Sequence, residues 1–326
     1  MGGQGVVSLG YFYLIMSIFP AGKITITATA LVVALLAGTV AIVTSRQGER
    51  PDRPDVRVEL ERRITDFTAS FTEDDRYRPP EREERRAVAD GVGLLLDGRR
   101  KEAARRLSDA GFGLLTLTDR PTGRRFAEIS EHTDDGGPGR GRGRVYVDLD
   151  NAPRWSVQVP HPAADLDTER LGVGVLRGAP GGVLVLAGAH RGAGRDGAAD
   201  VAHRRDTVFH AVCDELLARG MPGIQVHGFA NDSAPEYDAI VSTGRGEDGL
   251  REARELARAL DADGLEVCRA WARPCELAGR TNQQGRRAAA ERVPFLHLEF
   301  NRKTRADEER VDRVVAAMAA TASGWT

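Results

Sequence analysis

Three short apolar runs in this sequence each end abruptly in a histidine: Val157-Gln158-Val159-Pro160-His161, Val183-Leu184-Val185-Leu186-Ala187-Gly188-Ala189-His190 and Ile224-Gln225-Val226-His227. Five of the seven histidines (His161, His190, His203, His210 and His227) lie between Val157 and His227. Imidazole and carboxylate both suit zinc, and a catalytic zinc takes three protein ligands and keeps one position open. His161 and Asp165 could grip one ion from a single turn, with His227 closing the set from a second strand. Glu299 ends the run Pro294-Phe295-Leu296-His297-Leu298-Glu299, where an apolar strand has no other reason to carry an acid, so it is the candidate general base.

Other groups compete for these roles. Asp200-Val201-Ala202-His203 repeats the pairing of an acid with a histidine, so either Asp165 or Asp200 with His203 could complete the metal set. A helix expected over His203 to Ala218 places His203 and His210 two turns apart on one face. His203 is then a substrate or supporting group and His210 a structural one. Arg191, just past His190, could hold a substrate carboxylate by a bidentate pair. The polar stretch Gly279 to Arg286 reads either as a surface loop or as a substrate loop, in which Arg280, Asn282 and Arg286 offer forks and amides to an anion. Taken singly, each of these residues is more often structural than catalytic. Their gathering at strand ends is what points to chemistry, because ligand sites in open α/β sheets collect at the carboxyl ends of strands. No phosphate-binding Gly-x-x-x-x-Gly-Lys motif and no Gly-x-Ser-x-Gly nucleophile elbow occurs.

The elements that must position these residues are short strands alternating with helices. The expected fold class is α/β: a mixed sheet flanked by helices over 151–326, preceded by a helical and β extension over 51–150. In the extension, helices are expected at Val56 to Phe71, Glu81 to Leu96 and Arg100 to Ala110, followed by a hairpin around Pro121-Thr122-Gly123 and a Gly/Arg loop at Asp134 to Gly143. Strands are expected at Arg144 to Leu149, Trp155 to Val159, Tyr237 to Ser242, Leu265 to Ala270 and Val293 to Glu299, with helices at Asp248 to Leu260 and Ala306 to Ala320.

Residues 1–50 read differently. Ile24 to Val43 is an apolar run without a charge and about the twenty residues long that a membrane helix needs. No small-x-small cleavage site follows, so it is expected to be a signal anchor that tethers the chain to a membrane, with the large domain extracytoplasmic. Arg46, Arg50, Arg53 and Arg57 follow the run and favour the opposite orientation. Cys268 and Cys275 are close enough in sequence for a local disulfide in an exported domain; the alternative is that Cys213, Cys268 and Cys275 are all small buried thiols. A formal net charge of -2 excludes nucleic acid as the main partner.

The segment Leu296-His297-Leu298-Glu299-Phe300-Asn301-Arg302, with acids at Asp307, Glu308 and Glu309, resembles the C-terminal signature of N-formylglutamate amidohydrolases. Val159-Pro160-His161 is similar to that family's first metal-binding turn, and the wider pattern resembles zinc carboxypeptidase-like proteins, including poly-gamma-glutamate hydrolases. The resemblance implies a carboxypeptidase-like core over Val157 to Met318, a Zn2+ held by His161, Asp165 and His227, and Glu299 as base. Arg280 and Asn282 would correspond to carboxylate-binding groups. The chain departs from the pattern in carrying an Asp at 165 where a Glu is usual. The expected activity is zinc-dependent cleavage of an amide or peptide bond in a small carboxylate-bearing substrate, such as a cell-wall peptide or gamma-glutamyl compound. The alternative is a non-catalytic relative that binds such a ligand without turnover.

Overall fold

The computed structural model describes residues 56–75, 77–133 and 139–325. The anchor expected within residues 1–50, and residues 134–138 of the Gly/Arg loop, lie outside the described residues. Among the described residues no helix is long and apolar enough to cross a membrane.

The strands are β1 (Val56–Val58), β2 (Phe112–Asp119), β3 (Arg125–Glu131), β4 (Arg144–Asp148), β5 (Trp155–Val159), β6 (Gly182–Leu186), β7 (Gly223–Phe229), β8 (Ala239–Ser242), β9 (Val267–Arg269) and β10 (Phe295–Asn301). The helices are α1 (Leu60–Thr68), α2 (Arg82–Leu96), α3 (Arg100–Asp109), α4 (Thr168–Gly178), α5 (Val208–Ala218), α6 (Leu250–Ala262), α7 (Gln283–Glu291), α8 (Arg302–Ala306) and α9 (Glu308–Ser323). All ten strands join one sheet in the order β1-β2-β3-β4-β6-β5-β7-β10-β8-β9. The stretch 51–150 therefore adds four strands to the same sheet as the later core.

The sheet is mixed. β2, β3, β4 and β6 pair antiparallel, whereas β6, β5, β7 and β10 run parallel. Successive strand residues point to opposite faces, and each face has its own apolar core. Leu184 and Leu186 of β6 join one cluster with α1, α4, α6 and α9. Val183 and Val185 join the other with α2, α3 and α5. The chain leaves β5 through α4 toward β6 on one side, and leaves β7 toward β10 on the other. The carboxyl ends of β5 and β7 thus flank a topological switch point, the place where a parallel sheet opens a crevice.

Three expectations need correction. Val56–Val58 is not the start of a helix but an edge strand parallel to β2, and the helix begins at Leu60, where Glu59 accepts from the amides of Glu61 and Arg62. The helix expected from His203 begins only at Val208, because the Thr207 side chain accepts from His210 N and caps it there. His203 lies in the preceding turn, so it shares no helical face with His210. The stretch after Thr281 is a helix, α7, capped by Asn282 through Gly285 N. Cys268 and Cys275 form a disulfide, and Cys213 is a free buried thiol.

A buried ion pair fastens α1 to the sheet. Arg63 donates to both carboxylate oxygens of Glu128 on β3, Nε at 2.7 Å and Nη2 at 2.6 Å. Burial alone would raise the Glu128 carboxyl; the Arg63 fork, with Arg144 behind it, outweighs that and holds it below the usual range. A depressed carboxylate contributes stability above its unfolded pKa of about 4.3 and loses it as pH falls through the lower folded value. Arg63→Ala leaves the Glu128 charge buried with only Arg144 nearby, at 3.6 Å. It is expected to cost about 3 kcal/mol at pH 7, the low end for a broken buried pair because Arg63 is partly exposed. Urea unfolding at pH 7 and at progressively lower pH should show that difference shrinking as the Glu128 carboxyl is protonated.

Candidate metal centre

Each expected ligand sits where the strand ends put it. β5 delivers Pro160 and His161 into a turn closed by Asp165 N donating to His161 O at 2.8 Å. Leu166 and Asp167 then take left-handed φ values of 33° and 65° before α4 begins. The turn holds the His161 and Asp165 side chains together. β7 supplies His227, and the parallel register sets Glu299 of β10 directly beside it. His161, Asp165, His227 and Glu299 are all buried, at 1%, 8%, 5% and 7% exposure.

The hydrogen bonds around the two imidazoles decide which nitrogen is available. His161 Nε2 stands 2.8 Å from Asp200 Oδ1, and a carboxylate can only accept, so this nitrogen carries the proton. His227 Nε2 stands 2.8 Å from Gln225 Oε1, again an acceptor. Both Nδ1 atoms are thereby left as lone pairs, and both face the same oxygen: Asp165 Oδ2 lies 3.4 Å from His161 Nδ1 and 3.3 Å from His227 Nδ1. These gaps exceed the 2.7–2.9 Å of a charge-assisted hydrogen bond. They match the separation of about 3.3–3.4 Å between donors on a tetrahedral zinc with bonds of about 2.0–2.1 Å. Two lone pairs and a carboxylate converging in a buried space fit a divalent cation.

A second cluster shares His227: with His297 and Glu299 it forms another buried group of potential ligands. His297 stacks on His227, ring centroids 4.6 Å apart. Because Nε2 of His227 is committed to Gln225, His227 has one free nitrogen and cannot serve both clusters. The Asp165 set is the one toward which that nitrogen points.

The charges are strongly perturbed. Burial would lower His161, but Asp165 and Asp200 on its two sides outweigh it and raise it. The same pair of acids would favour a cation in the proton's place. Burial lowers His227, and lowers His297 further with His227 beside it. Burial, reinforced by the negative Asp165, pushes Glu299 well above the ordinary glutamate range.

The expected substrate groups divide. Arg191 and His203 reach the centre, but through Asp200: Arg191 Nη2 donates to Asp200 Oδ2 at 2.7 Å, and His203 Nδ1 lies 3.1 Å from the same oxygen. Arg191 Nη1 also comes within 3.5 Å of His161 Nδ1. Asp200 therefore braces His161 from outside rather than competing with Asp165. Asn282 is turned inward, 2% exposed, with both ends of its amide engaged by protein, so it is not an arm offered to substrate. Arg280 and Arg286 are exposed on either side of it. Sequence reasoning missed Gln158, Gln225 and Gln284, all fully buried on the same side of the sheet as His227. A cavity of about 440 Å3 opens beside the Asp165 turn, lined by Ala164, Leu166, Gly228, Asn231 and Arg302 among others.

No family profile matches this sequence, and no curated protein matches it significantly. Solved structures similar to it include N-formylglutamate amidohydrolase from Ralstonia eutropha, at 16% identity over 56% of this chain and 97% of that one, TM-score 0.41. A bacteriophage poly-gamma-glutamate hydrolase is similar at 12% identity over 56% of this chain and 88% of that one, TM-score 0.39. A metallo-carboxypeptidase from Pseudomonas aeruginosa is similar at 16% identity over 70% of this chain and 68% of that one, TM-score 0.37.

The centre is closed on one side by Gly279, which has a φ of +66° and whose added Cβ would stand 2.3 Å from the His297 ring. That ring is wedged against His227 and cannot yield. Gly279→Ala is expected to cost about 2–4 kcal/mol from left-handed strain and overpacking together. Thermal melts of this variant beside an exposed control such as Gly264→Ala, which meets nothing within 4 Å, will separate the clash from the strain common to both.

Proposed function

We propose that this chain is a zinc-dependent hydrolase that cleaves an amide bond in a small carboxylate-bearing substrate. The observation that carries the reading is the convergence of His161 Nδ1, His227 Nδ1 and Asp165 Oδ2, with Glu299 set beside His227 by the strand register. Zinc, when bound there, supplies Lewis-acid activation of water and of the scissile carbonyl. Glu299 takes the proton of the attacking water on its carboxylate and returns it to the leaving nitrogen. Burial and the Asp165 charge raise its affinity for a proton, which suits a general base, and a cation bound beside Asp165 would favour its carboxylate form. Arg191, 40% exposed and pinned by Asp200, offers its guanidinium to the charge that develops on the carbonyl oxygen or to a substrate carboxylate. Arg302, on the wall of the adjoining cavity and already paired with Asp167, could meet an anionic group with its remaining N–H groups.

Localisation enters the same proposal. The Cys268–Cys275 disulfide suits an oxidising compartment, and a domain tethered outside a membrane by residues 1–50 would meet cell-wall peptides or gamma-glutamyl polymers as substrates.

The test is metal content of the full chain, alone and as His161→Ala and His227→Ala, followed by turnover of N-acyl amino acids and gamma-glutamyl peptides. About one zinc per chain, lost in both variants, is expected. Glu299→Gln should keep the zinc and lose about 10²–10⁴-fold in kcat. Zinc with no hydrolysis of either substrate set would favour a ligand-binding relative without turnover; no zinc after reconstitution would sink the reading.

A further inference from the structure

We propose that Asn282, the cap of α7, is a positioning residue that, seconded by Gln284, sets the tautomer of His227 through Gln225, and so leaves the nitrogen facing Asp165 without a proton. The inference rests on the metal-centre reading above for its purpose, though not for its geometry.

A row of buried amides links the helix cap to the imidazole. Asn282 Oδ1 accepts from Gly285 N at 2.9 Å, which only donates, so the NH2 end of Asn282 must face the other way. It donates to Gln225 Oε1 in a very short contact. Gln225 Oε1 is thereby fixed as the end that also meets His227 Nε2, at 2.8 Å. An amide's two ends are otherwise indistinguishable and must be assigned from their partners. Here a second anchor gives the same answer. Gln284 Nε2 donates to Val201 O at 3.0 Å, a carbonyl that only accepts. Its Oε1 therefore turns to Gln225 Nε2, at 3.3 Å. Gln225 Nε2 also donates to Gln158 Oε1 at 3.0 Å. Two backbone groups of opposite polarity, reached by separate routes, agree on one orientation of Gln225.

Gln158, Gln225 and Gln284 are 0% exposed and Asn282 is 2% exposed, so no solvent is at hand to satisfy a reversed amide. Reversing Gln225 would set NH2 against NH2 at Asn282 and oxygen against oxygen at Gln158 and Gln284. A buried polar group left unsatisfied costs about 1–3 kcal/mol, so the row resists reversal strongly. With Gln225 Oε1 fixed, His227 Nε2 must be the N–H and Nδ1 the lone pair aimed at Asp165. Groups that orient a ligating histidine in this way typically change metal affinity 10–100-fold when altered.

The experiment uses the full chain labelled with 15N at histidine and stripped of metal, with His227 assigned by the signal lost in His227→Gln. Long-range proton–nitrogen correlation reports which ring nitrogen carries the proton. Wild type is expected to show His227 protonated at Nε2. Asn282→Asp keeps an oxygen for the Gly285 cap but presents an acceptor to Gln225. Combined with Gln284→Met, which removes the Val201 anchor, it should shift His227 toward the Nδ1–H form and weaken zinc binding, measured against a competing chelator, by 10–100-fold relative to Gln284→Met alone. Asn282→Ser also keeps a capping oxygen but offers Gln225 no competing acceptor; it should retain the Nε2–H tautomer, with zinc affinity falling by less than tenfold. A His227 protonated at Nδ1 in wild type would overturn the proposal, and this holds even if Asn282→Asp does not fold. An unchanged tautomer in a folded Asn282→Asp/Gln284→Met double variant would overturn it equally. A chain that binds no zinc yet shows the tautomer shift would leave the relay standing and remove the metal reading instead.

Discussion

The centre depends on where two protons sit. Asp200 and Gln225 draw the protons of His161 and His227 to the outer nitrogens, which leaves two lone pairs and the Asp165 carboxylate facing one another. That arrangement concentrates electron density in a dry space, and the low local dielectric makes it demanding on everything nearby. The raised proton affinity of Glu299 is one consequence, since burial and the Asp165 charge act on it together. The placement of Arg191 against both Asp200 and His161 is another, because it returns positive charge to the rim of the cluster.

Topology makes this density possible. The parallel strands β5, β7 and β10 lie inside the sheet, covered on one face by α4, α6 and α9 and approached on the other by α5 and α7. The crevice between the ends of β5 and β7 faces outward, while the strand interiors remain closed to water. Ligands can therefore stand near a mouth while the groups that brace them are wholly buried. Burial on both faces penalises unpaired polar side chains there, and the row Gln158, Gln225, Gln284 and Asn282 meets that penalty by pairing with itself.

What the sequence made legible and what it hid follow from the same facts. Apolar runs interrupted by imidazoles near the ends of β5 and β7 are visible in the sequence, and the structure brings His161, Asp165, His227 and Glu299 together. Asn282, by contrast, lies in a polar, glycine-bounded stretch whose composition suits a surface loop. Only the helix that follows shows it to be a cap with its amide turned inward. Gln225 was harder still. Alternation of Ile224 and Val226 with Gln225 and His227 suggests one face in solvent, and nothing local reveals that α7 covers it. His203 was misplaced because the helical pattern ahead of Val208 has no visible stop, whereas the Thr207 cap defines one physically. Pairings that depend on distant segments leave little trace in local pattern.

The buried amides also bear on how the sheet finds its register. Gln158 lies opposite Gln225, and Gln225 opposite His297; one step along, Glu299 lies opposite His227. A slip of one residue between β7 and β10 would carry Gln225 and His227 to the face occupied by Leu296 and Leu298, stranding polar groups in an apolar core. The apolar residues alone specify which face is which, but a slip of two would preserve that alternation. It would not preserve the meeting of His227 with Glu299, and the same slip between β5 and β7 would part Gln225 from Gln158. The polar row therefore discriminates where hydrophobic burial cannot. The residues that serve the centre are thus also those that hold its strands in the one alignment where the centre exists.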